Sequence, residues 1–149
     1  MKIASKALLA FILLLTLYYF TNHKVETHSL TVKVNNLRNS NGVVQFALYN
    51  AEGTIPDEFY KKCYKILKVE IINGSAAISF NNLPPGKYAV NILHDENNNG
   101  KIDKGFILPI EGIGFSNFQT IGLGNHPNFS KASFELNQNK TINIKAIYM

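Results

Sequence analysis

The chain has 149 residues, 46% of them hydrophobic, which suits one globular domain. Its formal net charge is +5, and without Lys2 and Lys6 of the N-terminal segment 13 basic residues face 10 acidic ones. The basic residues are scattered apart from a cluster at residues 61–65, so we expect no nucleic-acid partner. Cys63 is the only cysteine, which excludes an internal disulfide bond.

The N-terminal segment is typical of a targeting sequence. Lys2 and Lys6 precede an uncharged apolar run at residues 7–20, shorter than the ~20 residues of a bilayer-spanning helix. No Ala-x-Ala-like cleavage site follows it, so an uncleaved anchor stays an alternative. We predict a signal peptide or membrane anchor at 1–22, a short linker at 23–28 and a domain at 29–149. The protein is then exported to the periplasm, the cell surface or the medium, with membrane contact only through residues 1–22 if they are not cleaved.

The residues after His28 alternate between apolar and polar, which is typical of short β-strands. The apolar positions of these runs are Leu30, Val32 and Val34; Val44, Phe46 and Leu48; Ala76, Ile78 and Phe80; Tyr88, Val90 and Ile92; Phe134 and Leu136; and Ile142, Ile144, Ala146 and Tyr148. We predict an all-β fold, a single antiparallel β-sandwich of about seven strands. A long Gly-rich loop at residues 105–127 shows no clear period.

Turn residues predict how these strands are connected. Asn73-Gly74 favours a two-residue hairpin, in which Ile71 faces Ala76, Val69 faces Ile78 and Leu67 faces Phe80. Asn41-Gly42 predicts a second hairpin, with Val34 opposite Leu48 and a β-bulge at residues 35–36. The prolines of residues 83–86 predict the end of one strand and the start of the next.

The run HDENNNGKID at residues 94–103 predicts a cation-binding loop. Its spacing matches the first nine positions of an EF-hand calcium loop, although Phe106 stands where the twelfth position would hold a glutamate. The expected ligands are the side chains of Asp95, Asn97, Asn99 and Asp103, the carbonyl of Lys101, and Glu111 in place of the missing glutamate. The alternative is an Asx-rich turn that binds nothing. We expect weakly bound calcium.

Three motifs resemble one family of small exported bacterial proteins, domain-of-unknown-function family 2141. They are a Leu-Pro-x-Gly-x-Tyr-Ala strand, a His-Asp-x-Asn-x-Asn-Gly loop and a Pro-x-Glu-x-x-Gly-Phe-Ser segment. They fall here on residues 83–89, on residues 94–100, and on Pro109, Glu111, Gly114, Phe115 and Ser116. The resemblance spans roughly residues 30–148. It implies an immunoglobulin-like or prealbumin-like β-sandwich and no established activity.

No catalytic motif supports an enzyme. The chain has no Gly-x-Ser-x-Gly, no His-Glu-x-x-His and no P-loop, and we expect His94 to bond a loop carbonyl or Glu111. A small hydrolase of prealbumin-like fold is an alternative, but that enzyme ends in Tyr-Arg-Gly-Ser and this chain does not. We predict an exported, non-catalytic module with a structural, adhesive or ligand-binding role, whose partner is an unknown protein or glycan at the cell exterior.

A carbohydrate-binding module is the other alternative. It depends on aromatic residues near predicted loops, namely Tyr49, Tyr60, Tyr64 and Phe118. The chain lacks tryptophan, and aromatic residues also fill sandwich cores. The carbohydrate-binding hypothesis therefore requires a row of exposed aromatic side chains.

Overall fold

The computed structural model describes residues 11–12, 26–106, 108–122 and 124–149. These contain eight strands and one short helix in the domain. The strands are β1 (His28–Asn35), β2 (Val43–Tyr49), β3 (Lys65–Glu70), β4 (Ala76–Leu83), β5 (Gly86–Asp95), β6 (Gly112–Phe115), β7 (Phe134–Leu136) and β8 (Lys140–Lys145), and the helix is α1 (Phe129–Ala132).

The strands form two sheets that pack together as an all-β sandwich. One sheet has the order β4-β1-β8, and the other has the order β3-β2-β5-β6, with β7 also paired to β5. The predicted all-β sandwich is therefore confirmed. One detail differs from an antiparallel sandwich, because β1 and β8 run parallel, with Val32 beside Ile142. A parallel pair needs a long connection, and the rest of the domain lies between these strands.

The main core lies between the two sheets. Alternate residues of β1, β2 and β5 point into it and are buried, as the period-two pattern predicts. The central members are Leu30, Val32, Val34, Val44, Phe46, Leu48, Tyr88, Val90 and Ile92. The strand break at residues 83–86 is also confirmed, since β4 ends at Leu83 and β5 begins at Gly86.

A second cluster covers the opposite face of the larger sheet. We call it the outer cluster; its buried members are Ala47, Tyr49, Ile55, Tyr60, Ala89, Leu93, Ile113, Phe115, Phe118, Phe129 and Ala132. Loop residues such as Ile55 and Phe118 pack on side chains that face outward from β2, β5 and β6. As a result, β2 and β5 are buried on both faces, which alternation alone does not predict.

The predicted hairpin at Asn73-Gly74 is wrong beyond its turn. The turn itself forms, with Ile72 and Ser75 exchanging two backbone hydrogen bonds. However, β3 pairs with β2 in one sheet and β4 pairs with β1 in the other. Leu67 is 38% exposed whereas Phe80 is 1% exposed, so they do not share a face. A tight turn fixes only the local chain reversal, and here the two strands diverge into different sheets.

The predicted hairpin at Asn41-Gly42 is wrong for the same reason. Strands β1 and β2 belong to different sheets, so Val34 pairs with Ala76 and Ile144 rather than with Leu48. The bulge expected at residues 35–36 is wrong too, because no β1–β2 ladder exists there and Asn35 pairs with Lys145 of β8. Strand β1 instead has an irregularity between His28 and Leu30, opposite β4.

The predicted targeting segment lies outside the described residues, apart from Phe11 and Ile12. Among the described residues, no helix has the length and apolar character needed to cross a membrane.

Candidate metal-binding loop

The candidate loop connects β5 to a tight turn before β6. It begins at Asp95, the last residue of β5, and ends at Asp103, whose carbonyl accepts a hydrogen bond from the Ile110 backbone N–H at 3.0 Å. Gly100 supplies the sharp turn with φ of +78°, a conformation that side-chain-bearing residues rarely adopt. The sharp turn predicted at Gly100 is thus present.

Three of the predicted ligands converge. The side-chain nitrogens of Asn97 and Asn99 donate to Asp103 Oδ2, at 2.6 Å and 2.7 Å. The side-chain oxygens face the loop backbone, because Asn97 Oδ1 accepts from the Asn99 N–H and Asn99 Oδ1 accepts from the Lys101 N–H, both at 3.0 Å. The amide atoms that meet Asp103 are therefore nitrogens, and both amides must turn over before their oxygens can face one cation beside Asp103.

Asp95 is fully buried and holds the start of the loop. Its Oδ1 accepts the Asn99 backbone N–H and its Oδ2 accepts the Gly100 backbone N–H, both at 2.9 Å. The Lys68 ammonium lies 3.3 Å from Oδ2 and compensates the buried charge. Asp95 therefore stabilises the loop without an ion, and a metal ion would share its carboxylate with Lys68.

Glu111 joins the two ends of the loop. Its Oε1 accepts the Glu96 backbone N–H at 3.0 Å, and its Oε2 accepts the Asp103 backbone N–H at 3.2 Å. Burial raises the pKa of Glu111, and the nearby carboxylates of Asp103 and Asp95 raise it further, while the two backbone hydrogen bonds oppose this. The sequence predicts Glu111 as a metal ligand. In the structure its carboxylate holds the backbone of Glu96 to that of Asp103.

The donor set bears on which ion the loop suits. Within the described residues, no group of three or more His, Cys, Asp and Glu side chains is arranged to hold a metal ion. An ion here would depend on the oxygens of Asn97 and Asn99 in addition to carboxylates. Oxygen-only ligands of this kind fit calcium or magnesium and not a transition metal.

Two lysines already supply positive charge to the loop. Besides Lys68 on Asp95, the Lys101 ammonium lies 3.9 Å from Asp103 Oδ1. The Lys101 backbone N–H donates to Asn99 Oδ1, and a calcium ligand role of the Lys101 carbonyl stays a prediction. Lys68 was not identified from the sequence, because it is 27 residues from Asp95 and reaches it only through the β3-β2-β5 order.

Beside the loop, His94 is fully buried in a hydrogen-bonded network. Its Nε2 lies 3.0 Å from the Asn41 carbonyl, which can only accept, so Nε2 carries the proton. In the neutral ring, Nδ1 then accepts from the Tyr148 hydroxyl at 2.8 Å. The expectation that His94 bonds a loop carbonyl is confirmed, and the partner is Asn41 rather than Glu111.

Arg38 connects this network to the loop. Its guanidinium makes two hydrogen bonds to Glu96, at 2.6 Å and 2.9 Å, and one to the Ile110 carbonyl at 3.0 Å. It also lies over the Tyr148 ring, 4.7 Å from the centroid. The hydrogen bond from Arg38 lowers the pKa of Glu96. No local pattern indicated Arg38, since Glu96 and Tyr148 are 58 and 110 residues away.

Two buried polar groups lie under the loop. Gln45 Oε1 is 3.9 Å from the point where a Cβ on Gly100 would stand. Gln45 Nε2 and the Tyr60 hydroxyl are buried without a hydrogen-bond partner among the described residues. Burial raises the pKa of Tyr60, and the neighbouring Gln45 side chain opposes this, although the two groups do not meet in hydrogen-bonding geometry.

The aromatic residues considered for carbohydrate binding do not form an exposed row. Tyr49, Tyr60 and Phe118 are buried in the outer cluster, and Tyr64 alone of the four is exposed, at 44%. They fill and cover the sheet, as aromatic residues of sandwich cores do. The geometry therefore gives no support to a sugar-stacking platform.

The fold and the loop together define the class: a small all-β sandwich of two sheets, with an Asx-rich loop after its central strand. The family model described as "Uncharacterized protein conserved in bacteria (DUF2141)" matches residues 32–144, so the chain belongs to that family. No curated protein and no solved structure gave a significant match. The predicted resemblance is confirmed, and the family carries no assigned activity.

Proposed function

We propose that this chain is an exported, non-catalytic β-sandwich module whose loop at residues 95–103 is stabilised by weakly bound calcium. The observation that carries the calcium proposal is the convergence of Asn97 and Asn99 on Asp103, with Glu111 bonded to both ends of the loop. The amide nitrogens face Asp103, and turning both amides over about χ2 would bring their oxygens to the same point, within reach of one ion. The module then has a structural, adhesive or ligand-binding role, with a protein or glycan outside the cell as partner.

The binding is weak for a physical reason. The ion would replace hydrogen bonds and two ammonium groups that already satisfy the loop, so its net gain is small. Two of the loop ligands are neutral amides, and extracellular calcium modules of low charge bind at about 10⁻⁴–10⁻³ M. At ~2 mM calcium and a dissociation constant of ~0.2 mM, linkage gives about 1.4 kcal/mol.

Thermal unfolding in calcium and in chelator tests this proposal. We expect the protein to melt about 3–6 °C higher in millimolar calcium than in EGTA, with a smaller shift in magnesium. Asp103→Asn removes one carboxylate at the point of convergence and should abolish the calcium shift. Glu52→Gln removes an exposed carboxylate elsewhere and should leave it unchanged. Identical melting of the unaltered protein in calcium and in EGTA would show that the loop is only a turn.

Export has its own test. Mass spectrometry of the mature protein from expressing bacteria, after separation of periplasm, membrane and medium, reads both the location and the N-terminus. We expect the domain outside the cytoplasm, either cut near residue 22 or retained in the membrane fraction. Recovery of the full-length chain in the cytoplasmic fraction contradicts export and leaves the calcium proposal untouched.

A further inference from the structure

The outer face of the larger sheet carries a groove of about 460 Å³. Strands β5 and β6 contribute Asn91, Ile113 and Phe115, and the surrounding loops contribute Ile102, Leu108 and Ile121 among others. The volume falls within the ~300–1,000 Å³ of small-molecule sites, which are mostly apolar with a few placed polar groups. Nothing in the calcium proposal uses this groove.

The apolar surface continues outside the groove. Leu108 and Met149 line it and also border a shallower depression beside Phe106 and Ile110. All four side chains are exposed, and Phe106 is exposed to 101% of its reference area. Contiguous exposed apolar surface of this kind marks binding sites in soluble proteins.

The acidic groups of the lining already have partners. Asp57 accepts the backbone N–H groups of Lys61 and Lys62, at 3.0 Å and 2.7 Å. Glu58 pairs with the Lys104 ammonium at 2.5 Å. His126 is the remaining ionisable residue of the described lining. Asp57 has no ammonium partner among the described residues and Lys104 is already paired, so an anionic ligand would lose its hydration without gaining a free counter-charge.

Asn91 offers one specific polar contact in the groove. The residue is 2% exposed, and its Nδ2 donates to the Gly114 carbonyl at 3.0 Å and more weakly to the Ile92 carbonyl at 3.4 Å. Oδ1 accepts no hydrogen bond from the described residues. This oxygen therefore keeps its acceptor capacity, which favours a ligand that brings a donor.

We infer that this groove binds an uncharged, mainly hydrocarbon small molecule that donates one hydrogen bond to Asn91. Three observations support this inference: the apolar lining, the Lys104 ammonium already paired with Glu58, and the Asn91 amide oxygen that accepts no hydrogen bond from the described residues. Ile102 lies within the candidate calcium loop and Lys104 follows it directly, so dye binding is to be measured both in calcium and in EGTA. Dye binding in EGTA, where the loop holds no ion, would support this inference independently of the calcium proposal.

Two fluorescent dyes that differ by one charged group test the ligand class. N-phenyl-1-naphthylamine is uncharged, apolar and carries one N–H donor, and 1-anilinonaphthalene-8-sulfonate is the same skeleton with a sulfonate. We expect saturable binding of the first by the full chain and at least about tenfold weaker binding of the second. The N-methyl derivative of the first dye lacks the donor and should bind several-fold more weakly. Equal binding of N-phenyl-1-naphthylamine and its N-methyl derivative would overturn the proposed hydrogen bond to Asn91.

A pair of glycine variants locates the binding. Gly122 lines the groove and Gly124 does not, and an added Cβ meets no atom within 4 Å at either position. Gly122→Leu should therefore narrow the groove and weaken dye binding at least about fivefold without lowering the melting temperature. Gly124→Leu should bind as the unaltered protein does. The inference fails if the uncharged dye does not saturate, if the sulfonate binds equally well, or if Gly122→Leu has no effect.

Discussion

The carboxylate of Glu111 accepts a hydrogen bond from the backbone N–H of Asp103, with 3.2 Å between the two atoms. Its other oxygen accepts from the Glu96 backbone, so one buried side chain closes the loop at both ends. This arrangement makes the loop a fixed part of the domain even without an ion.

Glu111→Ala should destabilise the protein by about 2 kcal/mol. Two backbone N–H groups lose their acceptor, and a buried unsatisfied donor costs about 1–3 kcal/mol, while removal of a buried carboxylate returns part of that. Urea unfolding measures the difference. Glu52→Ala, at an exposed position, should stay within about 0.5 kcal/mol. A Glu111 variant as stable as the unaltered protein would show that the loop does not depend on this brace.

Lys68→Met should lower stability in EGTA and increase the calcium shift. The variant leaves the buried Asp95 carboxylate without its ammonium partner, a loss on the order of 1 kcal/mol because Lys68 is half exposed. Calcium would then supply the missing positive charge, so the melting temperature rises more than in the unaltered protein. Lys33→Met removes an exposed lysine from β1 and should change neither quantity. A smaller calcium shift in the Lys68 variant would place any bound ion away from Asp95.

Gly42→Ala should be far more damaging than Gly53→Ala. Both glycines have positive φ, +66° and +73°, so alanine costs about 1 kcal/mol at either one. At Gly42 the added Cβ would also stand 1.9 Å from the Asp95 carbonyl oxygen, whereas at Gly53 it meets nothing within 4 Å. We expect the overpacking to add about 1–3 kcal/mol. Equal unfolding midpoints for the two variants would contradict the close approach of the Gly42 turn to the end of β5.

Cys63 should react slowly with iodoacetamide in the folded protein. Burial raises the pKa of its thiol, and the thiol also donates to the Tyr60 carbonyl at 3.2 Å. Because the thiolate is the reacting form, a raised pKa leaves less of it at pH 8. We expect alkylation several-fold slower than in urea-unfolded protein, followed by mass spectrometry. Equal rates in the two states would show that the folded environment does not protect the thiol.

The sequence determined the strands and the loop. Alternation of apolar residues indicated β1, β2, β4 and β5, because one face of each must be buried in the core. The spacing of the Asn and Asp residues brought Asn97, Asn99 and Asp103 together, since these contacts span at most six residues. Both features depend on local geometry, and local geometry is encoded in short stretches of sequence.

Only the tertiary structure decided which strands pair and what supports the loop. The Asn-Gly turns reverse the chain but do not choose a partner, so β1 and β2, like β3 and β4, separate into different sheets. Lys68, Arg38 and Tyr148 reach Asp95, Glu96 and His94 across 27, 58 and 54 residues, through the order of the strands. The groove likewise exists because loops cover the outer face of the sheet. Such contacts follow from how the whole core is buried, and no short stretch of the sequence contains that information.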